Sequence, residues 1–177
     1  MSGIISDNTG RGTGLIKAAA GGKIGQVLQA QKTDRSTISS SSTTFQDIPG
    51  MTIDITPVAT SSKILIHVSV TVGYDEGSNH MRLIRDTTPI AIGDEDGDRG
   101  RCTVATRTAG APYALDNVAM SNSWLDSPSS TSALTYKLQT TQGTYTEVIC
   151  INSGATNGDV FYASQCVSTI TVMEILA

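Results

Sequence analysis

The run KILIHVSVTV, residues 63–72, decides the fold class. Ile64, Ile66, Val68, Val70 and Val72 recur at every second position. An extended backbone therefore turns all five to one side and Leu65, His67, Ser69 and Thr71 to the other. A helix would scatter the same five side chains around its circumference. One face of this strand is core and the other is half polar, as in a sheet packed on one side only.

Outward from that strand the period of two returns in short runs, at residues 24–33, 51–56, 81–85, 90–92, 102–106, 113–125, 133–141, 146–152 and 167–176. Polar turn residues separate the runs. Pro49, Pro57, Pro89, Pro112 and Pro128 fall between them, where a missing N–H breaks no ladder bond. Ten short strands are what a two-sheet jelly roll needs, so the expected fold is an all-β jelly-roll sandwich. The Ser/Thr-rich stretch 36–44 reads as a polar strand edge or a loop. Composition agrees: 20 serines and 24 threonines, against 16% charged residues, favour strands and turns over helices. At 177 residues, 38% hydrophobic content and net charge -4, the chain can close one core and is too weakly charged to stay disordered.

The same arithmetic excludes whole classes of function. The 12 basic residues are scattered, leaving no footprint for a nucleic-acid backbone, and no apolar run reaches the ~18 residues that membrane insertion needs. No basic and apolar leader stands at the start, so synthesis in a cytoplasm is expected. Cys102, Cys150 and Cys166 fit neither a disulfide framework nor a zinc-ligand spacing and read as buried thiols.

Residues 1–23 differ from the rest. Six glycines and two short apolar pairs, Ile4-Ile5 and Leu15-Ile16, cannot close a core of their own. The segment reads as an extended docking arm that orders on an outside surface through Ile4, Ile5, Leu15 and Ile16, with Arg11 and Lys17 facing acidic groups. Residues 24–177 then form the sandwich head. At the other end, STITVMEILA stays apolar almost to the last residue, and Val172-Met173 places hydrophobes on both faces. Such a strand needs two covers. One is its own sheet; the second is either the rest of its own subunit or the same strand of neighbouring copies, which makes Val167, Ile170, Val172, Met173 and Ile175 candidate interface residues.

Motifs for chemistry are weak. Asp94, Glu95, Asp96 and Asp98 crowd one short segment, but the twelfth position of a calcium loop counted from Asp94 is Ala105, not glutamate, and Arg99 and Arg101 can neutralise the carboxylates. No metal is expected, and the segment reads as an exposed loop between strands. Gly21-Gly22-Lys23-Ile24 lacks the Ser/Thr and the earlier glycine of a phosphate loop, and Gly10, Gly12 and Gly14 follow no strand, so no nucleotide or other cofactor is implied. Of the two histidines, His67 lies mid-strand, packed or paired across strands, and His80 follows the loop 73–79. No nucleophile stands beside a base, so no catalytic residue is assigned and no enzyme is expected. Trp124 alternates with Ser123 and Leu125 as a core residue would.

Several of these runs together resemble a known family. SDNTGRGTGLIKAAAGGKIGQVLQAQKTD (6–34), STTFQDIPGMTIDITPVATSSKILIHVSVTVG (42–73), MRLIRDTTPIAIGD (81–94), WLDSPSSTSALTYKLQT (124–140) and STITVMEILA (168–177) are similar to virion proteins of tailed bacteriophages, frequent in cyanophages and other aquatic phages. The turn Ile55 to Leu65 and the Leu125 to Pro128 motif are the most distinctive parts. The resemblance implies a C1q/TNF-like jelly-roll head, a homotrimer, and a place in the virion as a tail-fibre-like knob or a capsid decoration protein contacting capsid, neck or tail proteins. The far loops, at Asp75, Glu76, Asn79, His80, Asp94, Asp96, Asp98, Arg99 and Arg101, would then face solvent and possible host-surface glycan or protein.

Overall fold

A computed structural model describes residues 23–39, 43–73, 77–108, 117–143 and 148–176. The arm residues Ile4 to Lys17, and Asp75 and Glu76, lie outside the described residues. Every described element is a strand: β1 (Lys23–Lys32), β2 (Ser36–Ser39), β3 (Gln46–Ile55), β4 (Lys63–Gly73), β5 (Gly77–Arg85), β6 (Thr88–Ile90), β7 (Val104–Thr108), β8 (Val118–Asp126), β9 (Leu134–Gln142), β10 (Val148–Ile151) and β11 (Ser168–Leu176). They form two antiparallel sheets. Sheet A runs β1-β11-β4, with β8 along the other side of β4 and the short pair β10-β2 continuing from the end of β4. Sheet B runs β3-β9-β5, with β6 and β7 sharing the free side of β5. Leaving out the short strands β2, β6 and β10, sheet A holds the first, last, third and sixth strands and sheet B the second, seventh, fourth and fifth. That wiring is a jelly roll.

The core lies between the sheets. Ile64, Ile66, Val68, Val70 and Val72 of β4 face inward as their period requires, joined by Met120, Ile170 and Val172 from the same sheet. Ile48, Met51, Ile55, Met81, Leu83, Tyr136 and Leu138 meet them from sheet B. Two prolines lie inside strands rather than between them. Pro49 sits in β3, where the register with β9 shifts between Asp47 and Thr52 and Gly50 takes φ 79°. Pro89 sits in β6, paired with Ile84. Both strands are sheet edges, where a proline can face its missing N–H outward.

Polar groups inside the sandwich are tied to named partners. Asp126 of β8 accepts two bonds from Arg85 Nη1 of β5, at 2.8 and 2.7 Å, and one from Tyr136 Oη of β9, at 2.6 Å. This clamp crosses from sheet A to sheet B. Burial works against the Arg85 charge, but pairing with Asp126 outweighs it and raises the Arg85 pKa; burial, reinforced by the neighbouring carboxylate, raises that of Tyr136. Glu174 of β11 is fully buried and accepts from Val58 N–H at 2.7 Å and Gln26 Nε2 at 2.8 Å, seating the turn before β4. Burial alone would raise its pKa; the hydrogen bonds outweigh burial and hold it below the ordinary carboxylate value. At one end of sheet A, Asn152, with φ 65°, donates to Lys32 O at 2.8 Å and accepts from Ser168 Oγ at 2.5 Å.

Candidate functional site

The outward face of sheet A carries the most distinctive surface. Because side chains alternate, Leu65, His67 and Ser69 of β4 point away from the core, and the register sets their neighbours. Val27 of β1 pairs with Met173 of β11, Met173 with Leu65 of β4, and Leu65 with Leu125 of β8. The result is one apolar row running straight across four strands, with Ile24 and Ile175 paired beside it. The next row, Gln29, Thr171, His67 and Ser123, is polar and closes on itself: Gln29 Nε2 donates to Thr171 Oγ1 at 2.8 Å, and His67 Nδ1 lies 2.9 Å from Ser123 Oγ.

Val27 is 56% exposed and Leu125 47%, so the row is open to solvent at both edges of the sheet. Scattered apolar residues on a surface are ordinary, whereas a contiguous row is the kind of patch that marks a contact. Covering each of these side chains contributes on the order of 1 kcal/mol, given ~1.5–3 kcal/mol for complete burial.

The proposed interface residues of the last strand divide by face. Met173 and Ile175 stand on the outer face and Val167 is exposed just before β11. Ile170 and Val172 are wholly buried between the subunit's own sheets, which corrects their assignment: they have no surface to offer a neighbour. Val27, Ile24, Leu65 and Leu125 are the members that sequence reasoning did not assign. Their only trace in the sequence is a hydrophobe in the polar phase of its strand, and the register that aligns them is not visible there. Trp124 corrects another expectation. Its phase points inward, but β8 is an edge strand, and the ring stays 45% exposed.

On the opposite face, Asp94, Asp96, Asp98, Arg99 and Arg101 are all exposed, with Arg99 bridging Asp96 and Arg101 Nε donating to Gly93 O at 2.8 Å. The structure brings part of this loop against β5. His80, Asp98, Phe45 and Thr141 line a cavity of about 220 Å³, and the imidazole lies between Gly100 and Gly143, where an added Cβ would stand 3.0 and 2.9 Å from it. Burial pushes the His80 pKa down. Asn79 is not a loop residue: it sits in β5, fully buried, and accepts from Thr140 Oγ1 at 3.0 Å. Among the described residues no three His, Cys, Asp or Glu side chains gather as a metal site would require. Burial raises the pKa of Cys102 and Cys150, so neither is poised as a thiolate.

No family model and no curated protein sequence matches the chain. Among solved structures, that of the infectious bursal disease virus Gx strain is similar at 12% identity and a TM-score of 0.44, over 85% of this chain and 39% of that one. The infectious bursal disease virus VP2 subviral particle is similar at 14% identity and a TM-score of 0.33, over 86% and 42%. The chain thus spans about two fifths of the length of these structures. A likeness at this level concerns the arrangement of strands alone.

Proposed function

We propose that the chain is a non-enzymatic structural protein of a tailed-phage virion: a trimeric knob whose copies meet through the outer face of sheet A and whose residues 1–23 dock on the particle. The apolar row across sheet A carries this reading. Exposed Ile24 and Val27 lie at its β1 edge and exposed Leu125 at its β8 edge. A two-fold dimer needs one self-complementary patch. A row that runs the full width of one sheet face and lacks two-fold self-complementarity suits a head-to-tail contact of that face with the next copy, which closes as a ring. The resemblance to phage virion proteins supplies the number three and the particle. The same resemblance also covers a capsid decoration protein.

A trimer turns three weak arms into one firm attachment, since the second and third bind at high effective concentration. The direct test is deletion of residues 1–17. The shortened protein is expected to remain a trimer and to be missing from purified particles; normal incorporation contradicts arm docking. Copies per particle then distinguish the locations, a few for a tail knob and many for a capsid decoration.

A further inference from the structure

We propose that the cavity beside the Val160–Ala163 turn is a binding site for a neutral saccharide. The cavity encloses about 360 Å³, within the ~300–1,000 Å³ of small-ligand sites and roomy enough for one or two sugar rings. Its lining is almost wholly polar: Arg35, Ser153, Thr156, Asn157, Asp159 and Gln165 present guanidinium, hydroxyl, amide and carboxylate groups. Among the described residues that line it, the charged members are Arg35 and Asp159, one of each sign, so this lining favours neither an anion nor a cation. Planar polar groups that both donate and accept match the hydroxyls of a neutral polyol.

The second observation is independent of the cavity. Ala163 N–H closes the turn on Val160 O at 2.9 Å, and both residues line the cavity, which leaves Phe161 and Tyr162 at the tip. Phe161 is 104% exposed and Tyr162 71%, so the described residues leave both rings largely open. This exposure is notable in a protein with only two phenylalanines, and neither ring belongs to the sheet A row. An uncovered aromatic face beside a polar cavity offers stacking for the C–H face of a sugar while the cavity takes its hydroxyls.

The base of the loop is already fastened. Ser153 bridges to Gln165, Cys166 N–H donates to Asn152 O at 2.8 Å, and Arg35 Nε donates to Ser153 Oγ at 2.8 Å. Little ordering is then left for the ligand to impose.

The test uses the full chain and methyl glycosides of glucose, galactose, mannose and N-acetylglucosamine at millimolar concentration in saturation-transfer difference NMR. At least one glycoside is expected to receive saturation. The Phe161→Ala/Tyr162→Ala double variant, whose altered side chains make no core contact, is expected to keep its circular dichroism and bind roughly tenfold more weakly or not at all. Asn157→Ala, altering an exposed residue, is expected to weaken binding several-fold. No saturation of any of the four, or undiminished saturation in the double variant, overturns the proposal. Reduced particle incorporation of the double variant without glycoside binding by the parent also overturns it and makes the turn a protein contact. The oligomeric state stands apart from all these outcomes, so failure here leaves the trimer reading intact.

Discussion

The outer faces of the two sheets share one pleat geometry and end in opposite chemistry. On sheet B, Asp47 accepts from Lys137 Nζ at 2.7 Å and Gln139 Nε2 at 2.6 Å, while Gln139 Oε1 accepts from Arg82 at 2.9 and 2.7 Å. The Arg82 guanidinium in turn lies 4.0 Å above the Phe45 ring. Hydrogen bonding to Lys137, against a smaller cost of burial, holds Asp47 below its ordinary pKa. Asp47, Lys137 and Arg82 on that face each find a partner within the chain. On sheet A, a polar row closes on itself and leaves the adjoining apolar row of Val27, Met173, Leu65 and Leu125 open to solvent at both edges of the sheet. One face is finished by solvent. The other leaves an apolar row that, in the proposed reading, a further copy of the chain covers.

The largest expected effect tests that contrast directly. Leu65→Glu with Met173→Glu places two charges in the middle of the row, and should weaken self-association at least about a hundredfold by stranding desolvated charges. Gln139→Glu, the matching insult on sheet B, should leave the mass in sedimentation velocity unchanged. If both variants behave alike, the faces do not differ in the way argued. Next in size is the clamp that holds the two faces back to back. Asp126→Ala orphans Arg85 and the Tyr136 hydroxyl, and urea unfolding should show a loss of about 3–5 kcal/mol.

Glu174 lies beneath the apolar row and connects its stability to pH. Its folded pKa is below the ordinary 4.5, so its contribution is complete above pH 4.5 and is lost as pH falls through the folded value. Glu174→Gln should lower stability at pH 7 by about 1.5–3 kcal/mol and flatten the acid limb of a melting-temperature profile. An acid limb as steep as the parent's would assign the sensitivity to other carboxylates. The smallest effect belongs to the solvent face: Lys137→Ala removes a half-exposed ion pair and should cost under about 1 kcal/mol with no change in mass.

Much of the sandwich was legible, because hydrophobes at alternate positions report a strand wherever it lies. KILIHVSVTV reads correctly from its own residues, and so does the two-faced character of the last strand, with Val172 inside and Met173 outside. What a period of two cannot reveal is which phase faces the core, and that is how Ile170 and Val172 came to be grouped with Met173 and Ile175. Nor does it reveal which strand is an edge, so Trp124 reads as core although β8 has a single neighbour along its length. Asn79 has a different cause. Its polar neighbours suggest a loop, yet the strand already begins at Gly77, and Thr140 provides a partner from β9, distant in sequence. The row across sheet A takes one residue from each of four strands, and alignment of that kind arises only once the sheet has formed.

Sedimentation velocity of the full chain at micromolar concentration decides whether the sheet A face is a contact between copies. Burial of the sheet A face between copies predicts a single species at three times the 18.5 kDa chain mass, persisting on dilution through the micromolar range. A species at 18.5 kDa under the same conditions would contradict it.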